Sequence, residues 1–288
     1  MTISRKFVQI LLGLIWFIDG LFQLKSKMFT QAFIQQVILP VGQGQPHWIT
    51  ALVNWGATIV SAHIVMWNAA FSAVQILLGI AFMFNFKIRT TIALSIVWSL
   101  IVWVFGEGLG QLFTGHSLLL SGAPGAVILY ALVAIAIWPK PESSPAEWNH
   151  WSVRVAQLSL AAVFALGTLL HLQSSYLQPS GLTQVVTVPW LANAIGQQGA
   201  IVSVALAAIE FALAAMLAFQ IRLRVAVWTA LAVSFVFWWA GQSFGQVLDP
   251  LATDFNTGLL MILLALCADP EQFRNFAHHQ VSQHRIVS

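Results

Sequence analysis

Long apolar runs alternate with short polar breaks along the whole chain. A spanning helix needs about 20 apolar residues, with a range of roughly 17 to 25. Eight runs meet or approach that length: Phe7–Leu24, Ala69–Phe86, Thr90–Phe105, Pro124–Trp138, Val155–Leu172, Ala200–Phe219, Val225–Ala240 and Asn256–Cys267. With both ends cytoplasmic, the inner breaks hold Arg5, Lys6, Lys87, Arg89, Lys140, Arg154, Arg222, Arg224, Arg274 and Arg285, and the outer ones only Lys25 and Lys27. That asymmetry is the positive-inside pattern, and one missed span would scramble it. The pattern predicts an all-α integral membrane protein of eight transmembrane helices with cytoplasmic N and C termini. The first run is followed by LKSK rather than by small residues suited to cleavage, so it reads as a retained helix.

The pattern also repeats. WSLIVWVFGEGLGQ (98–111) returns as VSFVFWWAGQSFGQ (233–246), so Trp103, Gly106, Gly110 and Gln111 recur 135 positions on as Trp238, Gly241, Gly245 and Gln246. Lys87-Ile-Arg89 matches Arg222-Leu-Arg224 at the same offset, and GLIWFIDGLFQL (13–24) matches AAVFALGTLLHL (161–172) at an offset of 148. Repeats of four spans each face the same way, which gives a parallel repeat about an axis along the membrane normal. The expected divisions are a first four-helix repeat over 1–139, a cytoplasmic linker over 140–154, a second repeat over 155–268 and a polar tail over 269–288. The outer segments Lys25–Asn68 and Gln173–Gly199 are amphipathic: Phe29, Phe33 and Val37, then Trp48, Leu52, Trp55 and Ile59 after Pro46, recur at helical spacing. They read as helices on the outer face, serving either to roof a cavity or only to pack at the interface.

Composition sharpens this. Of 288 residues, 59% are hydrophobic, 7% are charged, and the mean hydropathy is +0.82. Soluble domains carry roughly 25% charged residues, so the lipid bilayer is the implied surrounding. The net charge of +3 follows from topology and gives no nucleic-acid footprint. Cys267 is the one cysteine, which excludes a disulfide framework or thiolate pair within the chain.

Against this background the buried polar residues stand out, because an ionisable group at membrane depth is costly. At about 1.5 Å per residue from the inner basic residues, Glu210 lies roughly 18 Å up, Asp19 roughly 20 Å, His171 roughly 26 Å and Glu107 roughly 27 Å. The repeat aligns Gln75 with Glu210, Glu107 with Gln242 and Gln23 with His171, so each half keeps one Glu and one Gln but exchanges their places. Two readings are open: amide–carboxyl pairs that tie neighbouring helices together, or a polar lining for a cavity that binds a head group or passes protons. His47, His63, His116 and His171, with Asp19, Asp249 and Asp254, could join in a metal or haem site, but no pair has a short ligand spacing. The tail's His278, His279 and His284 read as solvated, and no metal site is assigned. The glycines at 106, 108 and 110 follow a membrane helix rather than a strand, which excludes a dinucleotide loop. Gly122, Pro124 and Gly125 mark a turn that starts the fourth helix.

Each half resembles a DoxX-type four-helix membrane unit. IEFALAAMLAFQIRLR (209–224) is similar to that family's second helix, with its acidic residue, small residues and basic turn; VQILLGIAFMFNFKIR (74–89) is similar, with Gln75 for Glu210. GLIWFIDGLFQL resembles the first helix, and GEGLG and SGAPG resemble stretches of a branch with tandem halves. The resemblance implies a multi-pass protein of a bacterial inner membrane. Related DoxD subunits belong to thiosulfate:quinone oxidoreductase, which passes electrons from thiosulfate to membrane quinone. The outer segments hold two lysines and no arginine, so a dianion would need charge from helix N-termini or a partner.

The expected function is therefore a membrane subunit of a quinone-linked oxidoreductase. Glu107, His171 and Asp19 are its candidate catalytic residues. Gln75, Glu210, Gln242, Trp103, Trp238 and Gln23 are its candidate quinone-binding residues. Quinone is the expected cofactor, and a redox partner subunit or a homo-oligomer the expected assembly, because the chain carries no evident electron carrier. A small-solute or proton transporter is the alternative from another class, and a non-catalytic scaffold subunit a third.

Overall fold

The computed structural model describes residues 3–139 and 148–268. Within them the apolar runs are helical, and the described residues contain no strand. The helices are α1 (Arg5–Phe22), α2 (Gln31–Phe33), α3 (His47–Ala62), α4 (Ile64–Met83), α5 (Ile88–Phe105), α6 (Ala126–Ala136), α7 (His150–His171), α8 (Pro189–Ile195), α9 (Gly199–Ala218), α10 (Leu223–Ala240) and α11 (Asn256–Cys267). Five stretches are long and apolar enough to cross a membrane: Ile64–Met83, Ile88–Phe105, His150–His171, Pro189–Ala218 and Leu223–Ala240. Helix α6, with 11 residues, is shorter than the expected Pro124–Trp138, α11 has the expected bounds but only 12 residues, and α1 carries Arg5, Lys6 and Asp19.

The shortness of α6 and α11 has a structural reason. They pack on each other in the middle of the molecule, between α5, α7 and α10, and eight of the 11 α6 residues are buried. Non-helical backbone leads into each of them, and such backbone is tolerated at depth where protein surrounds it.

Helices α1 and α4 run antiparallel. Gln9 Nε2 donates to the Phe82 carbonyl at 2.8 Å, Ser72 Oγ to that of Gly20 at 2.7 Å and Asn68 Nδ2 to that of Gln23 at 2.7 Å. Gly13 and Gly79 permit this approach, since a Cβ on Gly79 would lie 2.6 Å from the Gly13 carbonyl. Helices α7 and α9 repeat the arrangement: Gln220 Nε2 donates to Gln157 Oε1 at 3.2 Å and Ser203 Oγ to the His171 carbonyl at 3.1 Å. The backbone recurs as well. Asn85 and Gln220 share φ near +56 and +59, Lys87 and Arg222 near +38 and +44, and Leu109 and Phe244 near +55 and +56, each pair 135 apart.

Helix boundaries and one buried face differ from the sequence reading, α4 for example starting at Ile64 rather than Ala69. Helix α7 starts at His150, inside the expected linker, because Asn149 accepts the Ser152 N–H and Trp148 Nε1 donates to the Ile3 carbonyl. The rest of the linker and the tail with its three histidines lie outside the described residues. In α3 the buried face is Ile49, Val53, Ala57 and Val60, whereas Trp48 and Trp55 are exposed. That face joins Met28, Phe33, Ile34 and Ile38 in a second, smaller core at the end of the bundle opposite Arg5 and Lys87.

Candidate functional site

Two cavities meet at this end. One is an open, polar cleft of about 680 Å³, lined by Lys27, Gln111, His116, Gln246, Asp249 and others. The other is smaller, about 150 Å³, with mostly apolar walls. Trp16, Phe33, Val60, Phe71, Trp98 and Phe105 form much of that wall, so the outer segments do roof a cavity. Into it reach Asp19, Gln23 and Gln75, with Glu107 and Asp254 at its edge.

The polar groups of the small cavity are unusual for a buried site, since nearly all such groups normally have partners. Asp19 Oδ1, Gln23 Oε1, Gln75 Oε1, Glu107 Oε2 and Trp98 Nε1 are enclosed without a hydrogen bond. Asp19 and Gln23 come from the last turns of α1, and Gln75 and Trp98 from the middle of α4 and α5. The other Asp19 oxygen, Oδ2, accepts a short hydrogen bond from the Tyr130 hydroxyl of α6, whose ring lies 4.1 Å from that of Trp16.

Glu107 follows the end of α5 and holds the start of α6. Its Oε1 accepts the backbone N–H groups of Ala126 and Val127 at 3.0 and 3.2 Å. It is thus a capping group for a helix that begins 19 residues later, at a terminus that favours negative charge. Gly125, at φ +102, leaves room for the carboxyl, since a Cβ there would collide with Oε2. Burial pushes the Glu107 carboxyl up to about 8, with Asp254 adding to the shift and the two N–H groups opposing it. Asp254 is also raised by burial, against the bonds it accepts from Thr253 Oγ1 and the Asn256 N–H.

Gln242 caps α11 in the same way. Its Oε1 accepts the Gly258 N–H at 2.9 Å, while Nε2 donates to Thr257 Oγ1 at 2.9 Å and to the Leu119 carbonyl at 3.0 Å. The Glu107–Gln242 exchange therefore sits at two helix starts, whereas Gln75 and Glu210 lie within α4 and α9. Trp103 and Trp238 play matching parts, each donating Nε1 at 2.7 Å to the carbonyl of Pro124 or Phe255 just before these helices. Neither tryptophan lines either cavity.

His171 and Glu210 form a separate centre between α7 and α9. Both are fully buried and line neither cavity, with Nε2 and Oε1 3.7 Å apart. Ser203 Oγ spends its proton on the His171 carbonyl, so it accepts from Nδ1–H at 2.9 Å. Nε2 of the neutral ring is then a bare acceptor facing Glu210, whose two oxygens have no hydrogen bond.

Of the residues singled out by sequence, Asp19, Gln23, Gln75 and Glu107 thus come together at the smaller cavity and Gln242 lines the adjoining cleft with Glu107, whereas His171, Glu210, Trp103 and Trp238 line neither. The possible metal grouping does not assemble: among the described residues no three His, Cys, Asp or Glu side chains are placed to hold an ion. His47 and His63 are exposed, and His116 faces the cleft. Sequence reasoning missed Tyr130 and Trp98. Tyr130 had a signal, being one of two tyrosines in the chain and the sole hydroxyl-bearing residue of α6. Searches among known proteins found no matching family model, no matching curated protein and no matching solved structure.

Proposed function

We propose that the chain is the membrane subunit of a quinone-linked oxidoreductase and that it holds the ring of a quinone or hydroquinone in the smaller cavity. The observation that carries this reading is the cavity itself: about 150 Å³, walled by aromatic and aliphatic side chains, with unpaired polar atoms at several points of its surface. An apolar cavity of about that volume takes a benzene-sized ring. Unpaired oxygens of Asp19, Gln23, Gln75 and Glu107 suit a ring that carries hydroxyl groups, and Trp98 Nε1–H suits a ring carbonyl. Asp19 and Glu107 are the groups proposed to exchange protons with it. Electrons pass to a partner subunit.

The same reading takes the molecule as eight spans in two four-helix repeats of like orientation, related to DoxX-type units, with both termini on the cytoplasmic side of a bacterial inner membrane. It is supported by the recurrence of backbone geometry and hydrogen bonds 135 residues apart, and by basic residues at the starts of α1 and α7 and in the α4–α5 and α9–α10 turns.

Trp16 and Trp98 line the cavity and supply the test. Titration of the purified chain with a short-tailed benzoquinone is expected to quench tryptophan fluorescence saturably. Val60→Phe, which puts a ring into the same space, should abolish the saturable part. Non-saturable quenching, or equal quenching in the filled variant, overturns the reading.

A further inference from the structure

The two cavities are adjacent, and their shared wall consists of Val37, Glu107, Thr253 and Asp254. Two of these four are carboxylic acids, and they differ in what their oxygens do. Both Asp254 oxygens are engaged, one by Thr253 Oγ1 and one by the Asn256 N–H. In Glu107 only Oε1 is engaged. Oε2 has no hydrogen bond and lies against Gly125, a residue of the cleft lining.

We propose that Glu107 is the proton gate of the molecule: it exchanges a proton with water in the open cleft, and so couples the enclosed cavity to that side of the membrane alone. The exchange breaks the O–H bond of the carboxylic acid and passes the proton to cleft water, with no electron moved. This deepens the reading above, in that the cavity whose protonation is controlled is the one assigned to the quinone ring.

Three features support the direction. The cleft side is open and has further polar and titratable groups, Lys27, His116 and Asp249, whereas the cavity's remaining polar groups, Asp19, Gln23 and Gln75, are buried. The groups facing Glu107 are Asp254 from the segment before α11 and Tyr130 on α6, with Asp19 bonded to Tyr130 on the far side. Burial, with Asp254 adding to it, brings the Glu107 carboxyl up to about 8, within reach of proton exchange near neutrality. Finally, the anchoring of Oε1 by α6 keeps the carboxyl in the wall in both protonation states, so no swing of the side chain is needed.

The other half supplies a built-in comparison. Gln242 caps α11 from the equivalent position and cannot titrate, so one gate exists per chain. It also shows that this fold accepts Gln there, which makes Glu107→Gln a usable variant.

The experiment uses the full chain in vesicles of known protein orientation, with the two baths buffered separately. The infrared carbonyl stretch of a protonated carboxylic acid is followed while each bath is taken in turn from about pH 6 to about pH 10, spanning the Glu107 value of about 8. In the unaltered chain a band should disappear when the cleft-side bath is raised and stay when the other is raised; in Glu107→Gln it should be missing. In parallel, benzoquinone quenching is measured under the same pH pairs. Its affinity should change by up to about tenfold per unit of cleft-side pH, the slope of one linked proton, and lose that dependence in the variant. A band that follows the opposite bath, or that survives in Glu107→Gln, overturns the gate. Quenching that never occurs while the band follows the cleft overturns the quinone reading and leaves the gate standing.

Discussion

Replacing Glu107 in two ways separates its capping role from its charge. Eight of the 11 residues of helix α6 are buried, Ala126 and Val127 at its start among them. Glu107→Ala leaves both N–H groups without an acceptor. An orphaned buried donor costs about 1–3 kcal/mol, and loss of a cap about 0.5–2 kcal/mol, so the variant should lose about 2–5 kcal/mol. Glu107→Gln keeps a carbonyl oxygen at Oε1, as Gln242 does for Gly258, and should lose less than about 1 kcal/mol. For chains of this size one kcal/mol shifts the midpoint by about 2–4 °C, so Glu107→Ala should melt about 4–20 °C lower. Thermal unfolding in detergent, followed by near-ultraviolet circular dichroism, checks this. If Glu107→Ala melts with the unaltered chain, or Glu107→Gln melts as low as Glu107→Ala, the capping argument is refuted.

The reverse exchange is not equivalent. Gln242→Glu removes the donor that satisfies the Leu119 carbonyl and Thr257 Oγ1, and should cost about 1–3 kcal/mol in the same melting assay, more than Glu107→Gln. Stability should also depend on pH through Glu107. Its carboxyl sits at about 8 in the folded chain against an ordinary 4.5, so the folded state binds the proton more tightly. That contribution is whole below 4.5 and is lost as pH rises through about 8, so melting temperature should fall across this window and fall less in Glu107→Gln. Lys25 is held by the carbonyls of Val247, Asp249 and Ala252 at 3.0, 2.7 and 3.3 Å and rests on the Phe22 ring. Hydrogen bonds to a charged group are worth about 1.5–3 kcal/mol, so Lys25→Met should speed amide exchange in residues 247–252 by about tenfold or more, measured by mass spectrometry.

The helices were legible because a membrane-length apolar run has few other ways to satisfy its backbone. Their registers were legible for a different reason: repeated words such as Trp103 and Trp238 fix equivalent places in two segments. What escaped the sequence depends on contacts made over distance. That Glu107 caps a helix 19 residues on cannot be read from either segment, since the chain between must first fold back. For α3, aromatic spacing picked out Trp48 and Trp55, which prefer an exposed interfacial position, while smaller Ile49, Val53 and Ala57 make the buried face. Asp19 was legible as a costly residue but not as a partner of Tyr130, because the two are 111 positions apart.

The matching stretches of the chain carry different polar residues, and the substitutions change their surroundings. Where the first half has Asp19, Gln23 and Gln75, the second has Gly167, His171 and Glu210. In the first half the three polar side chains lie around an open space and keep an oxygen unpaired. In the second, Glu210 occupies the space above Gly167, with Leu119 against the same glycine, and faces a histidine whose tautomer is set by Ser203. A short residue opposite a long one closes the gap there; a carboxylate opposite an amide leaves it open in the other half. Both buried acids keep unpaired oxygens: those of Glu210 have His171 Nε2 3.7 Å away, whereas Asp19 Oδ1 lies in a residue that lines the cavity. The cavity beside Asp19, Gln23 and Gln75 follows from those three exchanges.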